Sequence, residues 1–174
     1  MPEKKILADY IRSIPDFPKP GILFRDITTL LQDKKAFRKA IDQIAAPYKD
    51  KKIDAVVAVE ARGFIFGAIV AYKIGAAFVP VRKKGKLPYK TNSVTYDLEY
   101  GSDTLEIHHD SIKPNEKVLI VDDLLATGGT IKAVTDLVKQ LQGEIVGIAF
   151  LIELTELKGA EKLTEFPLLS LIKY

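Results

Sequence analysis

Apolar runs at residues 53–59, 76–81, 117–121 and 145–152 punctuate the chain. Each is short and mostly unbroken, the pattern of a strand buried on both faces. Residues 168–172 are a candidate fifth. Helical periodicity fills the gaps. Residues 64–74 end at Gly75, a residue suited to a helix C-terminus. Residues 130–141 place Ile131, Val134, Leu137, Val138 and Leu141 on one face. Asp33 can cap a helix whose apolar face carries Phe37, Ala40, Ile41 and Ile44. Ile6, Leu7, Tyr10, Ile11 and Ile14 also recur at helical spacing, before Pro15, Pro18, Pro20 and Gly21 impose an irregular loop.

Buried strands alternating with amphipathic helices predict an α/β fold, a parallel sheet flanked by helices. Such sheets bind ligands at the C-terminal ends of their strands. The candidate loops are therefore residues 60–63, 82–86, 122–130 and 153–155. One segment departs from this rhythm. Val94, Tyr96, Leu98, Leu105 and Ile107 alternate with polar residues around Gly101-Ser102-Asp103. Residues 92–109 thus read as a hairpin that leaves the sheet, and an excursion beside a binding face suits a flexible lid.

Composition narrows the class. A chain of 174 residues is the size of one domain, and 47% hydrophobic with 28% charged residues is ordinary for a globular protein. No apolar run reaches the roughly 18 residues of a membrane span. The N-terminal residues carry charge without a following apolar stretch, so no secretory signal is expected. Cysteine is absent, which excludes disulfides and thiolate ligands and fits the cytoplasm. A net charge of +3 is too small to argue for a nucleic-acid partner. The charge is uneven, however. Arg82, Lys83, Lys84, Lys86 and Lys90 form a cluster that suits a local anion site, although such runs also occur as plain solvated faces.

The chemistry concentrates in Val118-Leu119-Ile120-Val121-Asp122-Asp123-Leu124-Leu125-Ala126-Thr127-Gly128-Gly129-Thr130. A buried strand ends in two acids, a loop of small residues follows, and a helix begins. Gly128 and Gly129 let backbone N–H groups face an anion at a helix N-terminus. Thr127 and Thr130 add hydroxyl donors. Ionised Asp122 and Asp123 only accept hydrogen bonds, which suits sugar hydroxyls or hydrated Mg²⁺ rather than phosphate oxygens. A phosphate cradle beside two carboxylates points to a ligand with both a phosphate and a diol. Neighbouring strand residues face opposite ways, so both acids reach one sugar only if the strand has begun to turn at Asp122. The string is neither a Walker motif nor the dinucleotide glycine fingerprint.

This segment resembles the phosphoribosyl pyrophosphate (PRPP) motif of type I phosphoribosyltransferases. The resemblance covers nearly the whole chain and is closest to the adenine-specific members. It runs through Phe17-Pro18-Lys19-Pro20-Gly21-Ile22-Leu23-Phe24-Arg25-Asp26-Ile27-Thr28, Ala61-Arg62-Gly63-Phe64, Arg82-Lys83-Lys84-Gly85-Lys86-Leu87-Pro88, Leu98-Glu99-Tyr100-Gly101 and Glu153-Leu154-Thr155, with Leu157-Lys158-Gly159 after it. It implies a single phosphoribosyltransferase domain over residues 1–174. Residues 1–32 and a C-terminal part form a hood over the base, and the hairpin is a lid.

The resemblance also implies roles. Asp122 and Asp123 hold the ribose hydroxyls, and Ala126, Thr127, Gly128, Gly129 and Thr130 hold the 5-phosphate. Arg62 and Gly63, with Arg82, Lys83 and Lys86, take the pyrophosphate. Backbone groups of Leu23 and Arg25 meet the adenine edge, Phe24 stacks on the ring, and Leu154 packs on its other side. Glu99 and Tyr100 belong to the lid. Glu99 and Arg62 are the catalytic candidates. Mg²⁺ is expected to be held mainly through PRPP, near Asp122 and Asp123. His108 and His109 are expected to be structural or exposed. Many relatives have Asp-Ser where this chain has Glu60-Ala61. The implied reaction is adenine plus PRPP giving AMP and pyrophosphate in a cytoplasmic homodimer. The alternatives are a transferase for hypoxanthine, guanine or xanthine, and a non-catalytic PRPP-sensing regulator. The segment ahead of Phe17 is too short for the winged helix that such regulators carry.

Overall fold

The computed structural model describes residues 6–97 and 101–174. Leu98, Glu99 and Tyr100 of the lid lie outside them. The chain opens with a single 3-10 turn, Leu7–Tyr10, and passes into strand β1 (Arg12–Ile14). Strand β2 (Phe24–Asp26) pairs with β1 antiparallel, forming a two-stranded sheet of their own. The longer helix expected from the spacing of Ile6 to Ile14 is therefore not found. One turn is enough to bury Leu7, and pairing with β2 takes up the residues after Ile11.

Helices α1 (Thr28–Gln32) and α2 (Lys34–Ala45) follow. Asp33 starts α2 as expected: its carboxylate accepts from the N–H groups of Lys35 and Ala36 at 2.9 and 2.8 Å. Such a cap contributes about 1 kcal/mol. Next come β3 (Ala55–Val59), α3 (Arg62–Ile74), β4 (Ala77–Lys83), β5 (Thr91–Asp97) and β6 (Ser102–His108). The chain ends with β7 (Lys117–Leu125), α4 (Gly129–Gln140), β8 (Glu144–Glu153) and β9 (Leu168–Lys173).

The main sheet has seven strands in the order β5-β6-β4-β3-β7-β8-β9. From β4 to β9 all neighbours are parallel. The sheet as a whole is mixed, because the hairpin β5–β6 does not leave it. β6 pairs antiparallel with β4 through Arg82↔Glu106 and Lys83↔Leu105. Leu105 and Ile107 are fully buried, and an apolar hairpin face of that kind needs cover. The edge of the sheet supplies it.

Two cores flank the sheet. One joins Ala40, Ile41 and Ile44 of α2 and Phe66 and Val70 of α3 to Leu119 and Val121. The other joins Ile131, Val134 and Leu137 of α4 to Val57, Val118, Ile120 and Leu105. Every residue of β3 is buried, as an unbroken apolar run between two helical layers must be.

Candidate active site

The C-terminal ends of β3 and β7 open into a cavity of about 280 Å³. Its walls are residues 59–62, at the start of α3, and residues 122–131, at the start of α4. β7 runs to Leu125, four residues beyond the expected end, so Asp122 and Asp123 sit inside the ladder rather than after it. The ladder nevertheless changes phase there. Val118 and Ile120 lie in the α4-side core, while Leu119 and Val121 lie in the other. Strict alternation would return Leu124 to the α4 side. Instead Leu124 packs against the other core, and Leu125 occupies the α4 side. That slip turns both acids toward the first turn of α3. Asp123 Oδ2 lies 2.9 Å from Arg62 Nε. A Cβ on Gly63 would stand 2.6 Å from Asp122 Oδ1, so the close approach requires glycine.

The pair is electrostatically costly. Burial raises both carboxyls above the usual carboxylate range, and the Asp123 charge raises Asp122 further. Arg62 acts against this on both acids. Asp123 Oδ2 is buried with no hydrogen bond in good geometry, although Arg62 is close enough for a charge contact. An acceptor left in that state is available to a hydroxyl or a cation.

Across the cavity, Gly128 has φ +79° and caps α4 with no side-chain bond. The first N–H groups of a helix have no partner within it, and these face the cavity with their positive end of the dipole. Any side chain at Gly128 would strike the carbonyl of Gly159, 2.5 Å from an added Cβ. Gly159 thus backs the loop, a packing role that only its place in the matched segment hinted at. Thr130 Oγ1 donates to Tyr96 Oη at 3.4 Å, which ties the loop to β5 of the hairpin.

The cations after β4 are placed differently from Arg62. Arg82 donates to Glu60 from Nε and Nη2, at 3.3 and 3.0 Å, and to the Lys86 carbonyl from Nη1. Lys86 reaches Glu60 at 3.4 Å, and Lys83 pairs with Asp103 at 2.9 Å. None of the three lines the cavity. Burial opposes ionisation of Glu60, but the Lys83 N–H, Arg82 and Lys86 outweigh it and hold the carboxyl below its usual range. Glu60 is a hub that reading the sequence did not single out.

The residues expected around adenine divide between two faces of β2. Leu23 and Arg25, with Leu154, line a second cleft of about 490 Å³. Phe24 points the other way. Its ring meets Phe17 edge-on, with centroids 5.2 Å apart, and lies under the Arg62 guanidinium at 5.4 Å. Strand alternation accounts for the division. His109 is half-exposed, and His108 Nε2 is buried without a partner. Among the described residues no group of three His, Cys, Asp or Glu could hold a metal ion.

This strand–acid pair–glycine turn–helix arrangement lies inside a match to the phosphoribosyl transferase domain model over residues 27–166. The chain is also 62% identical over 168 residues to the adenine phosphoribosyltransferase of Clostridium kluyveri, covering 97% of this chain and 98% of that protein. The chain belongs to the adenine phosphoribosyltransferase family. This phosphoribosyltransferase superposes on the crystal structure of the Thermoanaerobacter pseudethanolicus adenine phosphoribosyltransferase with TM-score 0.93, at 54% identity over 97% of one chain and 98% of the other. It superposes on the Saccharomyces cerevisiae enzyme with TM-score 0.90, at 41% identity, covering 95% and 96%. That yeast structure holds an imino-altritol bisphosphate and adenine. The resemblance in fold thus extends through the sheet, the flanking helices and the N-terminal pair of strands.

Proposed function

We propose that this chain transfers the phosphoribosyl group of PRPP to adenine, giving AMP and pyrophosphate in purine salvage. One observation carries the reading: a buried and a half-buried carboxylate line one cavity with the glycine-bounded N-terminus of α4. That pairing fits a sugar bearing both hydroxyls and a phosphate. The names of the relatives at about this identity, and the adenine held by the yeast enzyme, support the choice of base.

In the reaction a ring nitrogen of adenine forms a bond to C1 of the ribose. The bond from C1 to pyrophosphate breaks, and the base loses a proton. Positive character develops on the sugar, as in glycoside cleavage. Asp122 and Asp123 accept from the ribose hydroxyls and fix the sugar, while the N–H groups of residues 126–130 hold the 5-phosphate. Arg62 uses Nε on Asp123, which leaves its two Nη groups to receive the departing pyrophosphate. Gly63 keeps the space that Asp122 needs. Backbone groups of β2 address the base edge, with Leu154 against one face; stacking by Phe24 on the other rests on the family resemblance, since its ring points away from the Leu154 cleft toward Arg62. Glu99 handles the base proton and Tyr100 covers the site; these two roles rest on the family resemblance alone.

A bound Mg²⁺ supplies charge neutralisation for the pyrophosphate. Two adjacent protein carboxylates on the cavity wall fit an ion held mostly by substrate phosphates and water, as Mg²⁺ prefers. The protein acts as a homodimer. Ile65, Ile69 and Tyr72 form an exposed apolar stripe on α3, with Tyr72 88% exposed. We infer that in the dimer one of Arg82, Lys83 and Lys86, none of which lines its own cavity, reaches the neighbour's. The proposal sets the reaction in the cytoplasm, which the cysteine-free composition fits.

The deciding experiment offers adenine, hypoxanthine, guanine and xanthine together with PRPP and Mg²⁺. AMP should form and the 6-oxo bases should be rejected, because a site built for the amino group leaves polar groups unpaired with them. IMP, GMP or XMP as the main product would overturn the base assignment. No nucleotide at all would favour a sensor.

A further inference from the structure

We propose that Tyr174 is a positioning residue for the base, holding Arg25 and thereby setting the gap between β2 and the end of β8. The inference rests on the reading that β2 and Leu154 take the purine, and it names a residue outside that set. The Arg25 guanidinium lies 3.7 Å above the centre of the Tyr174 ring. The same guanidinium donates from Nη1 to Ser13 Oγ at 2.6 Å, so the arginine is held between β1 and the tyrosine. On its other side Tyr174 is bound to both neighbours of Leu154. Its N–H donates to the Glu153 carbonyl at 3.0 Å. Its own carbonyl accepts from the Thr155 N–H at 2.8 Å and from Thr155 Oγ1 at 2.6 Å.

One residue thus connects the two walls of the 490 Å³ cleft that Leu23, Arg25 and Leu154 line. Among the described residues the two-stranded sheet β1–β2 is hydrogen-bonded to no strand of the main sheet. Side-chain contacts therefore help to set its distance from β8, and the Arg25–Tyr174 stack is a direct link of that kind. A flat base between β2 and Leu154 tolerates little change in that distance. Phe24, on the opposite face of β2, would shift with it, and so would its contact with Arg62.

The test is steady-state kinetics on the full-length protein with Tyr174→Leu and Tyr174→Phe. Tyr174→Leu should raise KM for adenine about tenfold, the scale of a partly desolvated cation–π contact, and leave KM for PRPP unchanged. Tyr174→Phe keeps the ring and should restore the adenine KM. Arg25→Met combined with Tyr174→Leu should cost no more than Arg25→Met alone, since that change already removes the contact that Tyr174→Leu breaks. An unchanged adenine KM in Tyr174→Leu, or equal rises for adenine and PRPP, would overturn the role. If Tyr174→Leu folds poorly, Arg25→Met with normal adenine KM overturns it equally. Failure of the underlying reading would show earlier and separately, as a wild-type protein that forms no AMP.

Discussion

Asp122 and Asp123 stand side by side, and loss of solvent holds protons on both more tightly than the unfolded chain does, the Asp123 charge adding to this at Asp122. The sign of the stability effect follows. Folded-state values lie above the unfolded ones, so the pair costs least stability below about pH 4. The cost grows as pH rises from the unfolded values through the raised folded ones. Asp122→Asn should therefore raise Tm at pH 7 by about 2–4 °C, the equivalent of about 1 kcal/mol in a chain of this size. The gain should vanish near pH 4, and turnover should fall with it at pH 7. Thermal melts of both proteins across that range check the sign. Asp123→Asn should weaken PRPP binding while the fold persists, which titration calorimetry measures. Gly128 is constrained from another direction, by φ +79° and the Gly159 carbonyl. Gly128→Ala should destabilise the fold by about 1–3 kcal/mol and abolish 5-phosphate binding.

Among the elements, those with a long uniform pattern were legible in advance. β3 and β8 are unbroken apolar runs, and α2 carries both its periodicity and its Asp33 cap. β1, β2 and α1 were not legible, because strands of three residues and a helix of five hold too little pattern to outweigh the prolines around them. The apolar pattern ends β7 four residues short, since acids normally end a buried strand and here they face a cavity instead. The hairpin was recognised by its alternation, but its attachment to β4 depends on a partner distant in sequence. The site followed the same division. The acids, the glycine turn and Arg62 stand in adjacent loops and could be grouped by position. Glu60, Gly159 and Tyr174 act through contacts that sequence spacing does not encode. Glu60 joins the end of β3 to the end of β4 through Arg82, Lys86 and the Lys83 N–H. Glu60→Gln keeps the shape and loses the charge. It should raise KM for PRPP about fivefold, the scale of a partly exposed ion pair, and leave adenine KM unchanged.

For the molecule as a whole, the sheet order brings the acids, the glycine turn and Arg62 to one end. β3 and β7 are adjacent and parallel, so the helices that follow them begin side by side and frame one cavity. The two cores behind it are apolar and continuous, which leaves the charged groups of the site fixed on rigid strands. No helix among the described residues is long and apolar enough to cross a membrane. The exposed stripe on α3 gives a prediction at this scale. Tyr72→Glu should convert the proposed dimer into a monomer, which light scattering detects, and PRPP turnover should fall if a neighbour's cation serves the site. The most direct measurement is backbone amide NMR during titration with ribose 5-phosphate. The account predicts saturable shifts concentrated at residues 126–130, with Gly128 and Gly129 among the largest. Saturation with those amides unmoved, and shifts clustered elsewhere, would contradict it.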